Sequence, residues 1–200
     1  MEYVVHLQKD KKLSRIIGKE YHRLTLHPNI PVRMMASIMS QQLSVKVARV
    51  IYQRFLDLYK GKEPKPAQVL ATPAETLRAI GLSNAKVSYV HNVAAFCIEH
   101  KITDKKLLAM TDDAIIDLLV QIKGIGRWSV EMLLMFALGR EDVFAADDLG
   151  IQQAMTSIYQ LDPENKKELK EQMRKISAKW SPYRTYACLH LWKWKDNAPG

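Results

Sequence analysis

The stretch "KGIGRWSVEMLLMFALGREDVFAADDLG", residues 123–150, decides how this chain folds. Gly124 and Gly126 stand between two helical patterns. Before them, "TDDAIIDLLVQIK" (111–123) opens with Thr111 as a cap and with acids that suit a helix N-terminus. After them, residues 127–139 read as a helix that is apolar almost all round and is expected to run through a core. The chain must reverse direction in between. Gly124 can take a positive φ at no steric cost and so end the first helix. Gly126 leaves the surface of the turn without a side chain, so the backbone there can come close to another molecule. The first amides of the next helix have no intrahelical partner and form a ready anion site. Lys123 and Arg127 add positive charge on either side. By itself the pattern also fits an ordinary helical hairpin with a glycine cap.

The same stretch ends on adjacent carboxylates, Asp147 and Asp148, where another helix should begin. One aspartate can cap that helix and its neighbour can serve the dipole. A carboxylate fixed at such an N-terminus is also suited to chemistry, because it can stabilise positive charge that develops on a sugar in a glycosyl transition state.

Outward from this stretch the pattern stays helical. Apolar residues recur three or four apart over 31–43, with Pro31 at the helix start, and again over 45–59. Residues 72–83 read as a threonine cap, a first-turn proline and a short helix stopped by Gly81. Helices follow at 84–100, 148–160, 163–180 and 182–194, while "KGKEPKP" (60–66) is the clearest loop. The charged helix at 161–180 should turn Met173, Ile176 and Trp180 inward. No stretch alternates as a strand. The expected fold class is all-α.

Composition narrows the function. Apolar residues make up 48%, enough for a folded core. No apolar run reaches the length of a membrane span and no leader peptide is evident, so a cytoplasmic or nucleoid-associated protein (nuclear in a eukaryote) is expected, not a secreted one. Lys and Arg total 30 against 21 Asp and Glu, a net charge of +9 that suits a polyanionic partner. The two cysteines, Cys97 and Cys188, lie in apolar helical patterns and are too few for a four-thiolate cluster. No protein-bound transition metal is expected.

Four segments in order resemble the helix–hairpin–helix DNA glycosylases (the HhH-GPD superfamily), and most of all the AlkA-type, 3-methyladenine DNA glycosylase II branch. They are "SIMSQQLSVKVA" (37–48), "LVQIKGIGRWSVEMLL" (119–134), "DVFAADDLGI" (142–151) and "WSPYRTYACLHLW" (180–192). The resemblance implies one glycosylase domain over 1–200 made of two helical lobes, roughly 31–110 and 111–194, with the N-terminal residues packing on the second. DNA and an extruded base would lie between the lobes.

Carried over by position, the catalytic aspartate is Asp148, which leaves Asp147 as the cap. Gln41 and Gln42 fall at the helix end that faces DNA, Gln42 where the family inserts a side chain into the flipped nucleotide's place. Trp192 falls on an aromatic of the base pocket, with Trp128 and Tyr186 as further candidates. Lys123, Gly124, Gly126 and Arg127 form the backbone-gripping hairpin. Bifunctional members carry a lysine where this chain has Trp128, so simple hydrolysis is implied, with no lyase step. The implied substrate is duplex DNA bearing alkylated purines. The implied protein is a monomer without a cofactor, apart from a monovalent cation at the hairpin turn. The chain departs from the bacterial AlkA type in having no room for its extra α/β domain. A glycosylase for an oxidised or deaminated base, and a non-catalytic DNA-binding module, are the alternative readings.

Overall fold

Helical periodicity is realised almost throughout. The computed structural model describes residues 1–18 and 22–197. The described residues form twelve α-helices and no strand. In chain order they are α1 (Glu2–Leu7), α2 (Ile30–Ser40), α3 (Val45–Asp57), α4 (Pro66–Leu70), α5 (Ala74–Ala79) and α6 (Asn84–Glu99). There follow α7 (Asp104–Leu108), α8 (Asp112–Leu119), α9 (Arg127–Phe136), α10 (Leu149–Tyr159), α11 (Lys166–Ser177) and α12 (Arg184–Asn197). Short 3-10 turns occupy Leu13–Arg15 and Ala178–Trp180.

Side-chain caps set many of the boundaries. Ser44, Ser83, Thr103, Thr111 and Asn165 each accept a backbone amide three residues on, filling an orphan donor of the first turn. Two sequence expectations need correction. Pro73, not Thr72, is the N-cap of α5, and the Thr72 hydroxyl instead donates to the Gln68 carbonyl at 2.9 Å. The helix expected over 31–43 ends at Ser40, because Gln42 turns into the left-handed region at φ 58°. Helices α1, α4 and α7 have only six, five and five residues, too few for the periodic signal to register.

The chain divides into two units, one of Leu26–Leu133 and one of Met1–Thr25 with Leu134–Gly200. The hairpin α8–α9 therefore belongs with the helices before it up to residue 133, where the resemblance implies a break near 110. In the Leu26–Leu133 unit, α6 packs against α2, α4 and α5. Met35, Ile38, Phe55, Val90, Ala94, Leu107 and Leu119 are sealed from solvent there. In the other unit α10 packs on α11 and α12, around Ile151, Met155, Met173, Trp180, Cys188 and Leu191.

The N-terminal segment joins the second unit through buried Tyr3, Leu7 and Leu13 and through one carboxylate. Asp10 accepts from Trp180 Nε1 at 3.0 Å and Tyr159 OH at 2.9 Å, and pairs with Lys179 Nζ at 3.0 Å. Burial alone would raise its pKa, but these donors hold it down at about 2. Cys97 and Cys188 are both buried and form no disulfide, and burial pushes the Cys97 thiol up to about 12. Among the described residues no helix is long and apolar enough to cross a membrane.

Candidate active site and DNA interface

The segment after α9 runs through buried Val143, Ala145 and Ala146 to the start of α10. That apolar anchorage places Asp148 at the N-cap, where its Oδ1 accepts the Ile151 amide at 2.9 Å. This corrects the expectation that Asp147 is the cap. Asp147 instead forms an ion pair with Lys170 Nζ of α11 at 2.6 Å. Asp148 is extended at φ −73°, ψ 125° immediately before the first helical residue, and only that position reaches the first-turn amides.

The Oδ1 that caps α10 also accepts from Trp192 Nε1 at 2.8 Å, across 44 residues of sequence. Trp192 can come that close because residue 150 is glycine. A Cβ there would stand 3.1 Å from the Trp192 ring and 3.2 Å from Asp148 Oδ1. Phe136, 47% exposed, lies 5.9 Å from Trp192 between ring centroids. Carboxylate, indole and phenyl ring thus form one cluster in the unit containing Leu134–Gly200.

Phe136 is missed when α9 is read from sequence as buried all round. Trp128 and Phe136 are exposed and Met132 half-buried, a stripe at spacing four along one helix face. That spacing is present in the sequence, hidden among other apolar residues. Tyr186 is corrected in the opposite sense. It is 6% exposed, stacks on Tyr3 at 4.0 Å, and donates its hydroxyl to Glu141 at 2.6 Å. It is a core residue, not a pocket wall.

The second group lies in the Leu26–Leu133 unit. Gly124 adopts φ 106°, and a Cβ on it would meet the Tyr89 ring at 2.3 Å, so its glycine is demanded from within. Gly126 has nothing within 4 Å of an added Cβ, so its bare backbone faces open space. Lys123 is exposed. Arg127 is half-exposed and its Nε is bonded to Glu131 at 3.0 Å. Gln42 is exposed at the α2–α3 turn, whereas the Gln41 side chain bends inward and approaches the Gly124 carbonyl at 3.5 Å. Among the described residues no group of three His, Cys, Asp or Glu could hold a metal ion.

One unit thus holds a carboxylate bonded to an indole, and the other a glycine hairpin with open space at Gly126. The family model of the HhH-GPD superfamily of base excision DNA repair proteins matches residues 35–179, and this chain belongs to that family. DNA-3-methyladenine glycosylase 1 of Schizosaccharomyces pombe is 34% identical over 186 residues, covering 92% of this chain and 80% of the relative. DNA-3-methyladenine glycosylase of Saccharomyces cerevisiae is 30% identical, covering 94% and 76%. Among solved structures, the S. pombe 3-methyladenine DNA glycosylase in complex with abasic DNA aligns with a TM-score of 0.83 at 31% identity, over 99% of this chain and 98% of that one. A Bacillus halodurans DNA-3-methyladenine glycosidase aligns with a TM-score of 0.85 at 33% identity, over 98% and 90%.

Proposed function

We propose that this chain is a monofunctional DNA N-glycosylase that excises alkylated purines, of the 3-methyladenine and 7-methylguanine kind, in base excision repair. The observation that carries this reading is the Trp192–Asp148 hydrogen bond at 2.8 Å, which fuses an aromatic platform to the candidate catalytic carboxylate. Relatives named for 3-methyladenine support it.

A base inside a duplex is out of reach, so the nucleotide is flipped out at a cost of a few kcal/mol. The hairpin amides, with Lys123 and Arg127, grip the DNA backbone, and Gln42 fills the vacated place. The extruded base stacks on Trp192, with Phe136 as further aromatic surface. An alkylated purine carries positive charge, so its glycosidic bond is weak and its ring is drawn to an aromatic face by about 0.5–2 kcal/mol. Asp148 stabilises the sugar cation as the bond breaks, and water completes hydrolysis to a free base and an abasic site. Trp128 stands where a Schiff-base lysine would be, and tryptophan forms no such adduct.

The chain acts as a monomer in this reading, and no cofactor takes part in the chemistry. A monovalent cation suits the hairpin turn. The Lys123 and Gly124 carbonyls each face one amide donor, from Asn92 and Gln41, and a carbonyl oxygen has a second lone pair. Such an ion would aid the grip on phosphate.

The test is incubation with methylated duplex DNA and chromatography of the released bases, beside borohydride treatment. Release of 3-methyladenine and 7-methylguanine without a trapped adduct is expected. Release of uracil or 8-oxoguanine in preference, or a strong adduct, would refute the assignment.

A further inference from the structure

Helix α6 carries Lys86, Tyr89 and Asn92 along one i, i+3 ridge, all half-buried. None of the three belongs to either turn described above, yet each touches one. Lys86 Nζ donates to the Met39 carbonyl at 3.0 Å and to the Gln41 carbonyl at 2.7 Å. The first of these is a last-turn carbonyl of α2 that lacks an intrahelical partner, and the second immediately precedes Gln42. Gln42 itself sits at φ 58°, a conformation that non-glycine residues keep only when their surroundings hold them there. Its neighbours Leu43 to Val47 are all exposed, so Lys86 is a principal restraint on this turn.

Farther along the ridge, the Tyr89 ring is packed so tightly on the hairpin backbone that a Cβ at Gly124 would stand 2.3 Å from it. Asn92 Nδ2 then donates to the Lys123 carbonyl at 3.2 Å. The Gln41 side chain approaches the Gly124 carbonyl at 3.5 Å and closes the circuit between the two turns directly.

We propose that the Lys86–Tyr89–Asn92 ridge is a brace that locks the Gln42 turn and the Gly124–Gly126 hairpin into one register. Grip on the DNA backbone and insertion of Gln42 then happen as a single event. This rests on the reading that both turns meet DNA. A side chain pushed into a base stack is pushed back, and a turn free to yield would relax out of the gap. Lys86, Tyr89 and Asn92 are positioning residues that act through Gln42 and the hairpin.

The experiment compares Lys86→Met, Gln42→Ala and the double variant in single-turnover release of 3-methyladenine. Two substrates are used: a matched duplex, and one with the lesion opposite an abasic site, where no base pair is left to oppose extrusion. Lys86→Met keeps the stem and removes the donors. It should slow the matched duplex about tenfold, as expected on losing charge-assisted hydrogen bonds. It should leave the substrate with the opposing abasic site within about twofold and add little in the Gln42→Ala background, since coupled residues are non-additive. A purely structural defect would slow both substrates alike.

Amide hydrogen exchange of the wild type gives a measurement that needs neither variant folding nor activity. The Leu43 and Ile125 amides, bonded to the Ser40 and Ile122 carbonyls, should open as one unit. Lys86→Met or Gln42→Ala enzymes as fast as wild type on the matched duplex, or independent opening of the two turns, would overturn the brace. Should the wild type release no methylated base at all, the enzymatic reading falls, and exchange still decides for or against the brace.

Discussion

Replacing Asp148 separates the two roles that one carboxylate performs. Its Oδ1 caps α10 and accepts from Trp192, at 2.9 and 2.8 Å. Asparagine keeps that oxygen and caps a helix about as well as aspartate. Asp148→Asn should therefore fold with a stability within about 0.5 kcal/mol of wild type. Its carboxylate charge is gone, and electrostatic groups at a developing charge contribute roughly 3–4 kcal/mol, so base release should fall about 100- to 1000-fold. Asp148→Ala should lose both the cap and the charge. The lost cap costs about 1 kcal/mol and the stranded indole N–H about 1–2 more. Summed, about 2–3 kcal/mol should lower the Tm by roughly 5–10 °C in a chain of this size. The assays are single-turnover release of 3-methyladenine, calorimetric unfolding and affinity for an abasic duplex, which should survive in Asp148→Asn. An asparagine variant that is stable and within about tenfold of wild-type rate would refute the role given to this charge. Loss of activity in Asp147→Asn instead would move the assignment by one residue, against the half-exposed Lys170 pairing that predicts a cost under about 1 kcal/mol.

At the hairpin, Gly126→Val should leave the Tm nearly unchanged and weaken binding to every duplex alike, because nothing within 4 Å of its Cβ is protein. Gly124→Ala should destabilise by more than about 1 kcal/mol through positive φ and the Tyr89 ring; titrations and melts that fail to separate the two glycines would contradict this. Gly150→Ala pushes a Cβ to 3.1 Å from Trp192 and should cost roughly tenfold in release by displacing the indole, a penalty that Trp192→Phe should largely absorb in the double variant. Acid should lower the stability over two pH ranges. Burial, then the charges of His22 and Lys193, push His190 down from 6.5 to about 4, so it is neutral in the fold and stability falls as pH drops from 6.5 to 4, by up to about 3 kcal/mol. Asp10, held at about 2 against an ordinary 3.8, contributes stability above 3.8 that is lost as pH falls through 2, about 2 kcal/mol. Urea titrations across pH 8 to 3 should show the first slope vanish in His190→Leu; an unchanged slope would place the titration elsewhere.

The sequence by itself determined the all-helical class, the main helices, the Thr111 cap and the glycine reversal, because each depends on residues within a turn or two of one another. The family resemblance of four motifs in order also named Asp148 as the candidate carboxylate, a positional choice that local chemistry does not make. Tertiary packing decided the rest. Whether Asp147 or Asp148 caps α10 turns on which one the buried Val143–Ala146 segment sets at the first turn, and two adjacent carboxylates look alike until that segment docks. Tyr186 is buried and Phe136 exposed for the same reason: periodicity names a face but not what covers it, and Tyr3 from the far end of the chain covers Tyr186. Trp192 reaches Asp148 across 44 residues only because α12 packs on α10 at a glycine. The ridge of Lys86, Tyr89 and Asn92 reads as three ordinary helix residues, and it becomes a support only when α6 brings it against turns that its own sequence neighbourhood does not contain.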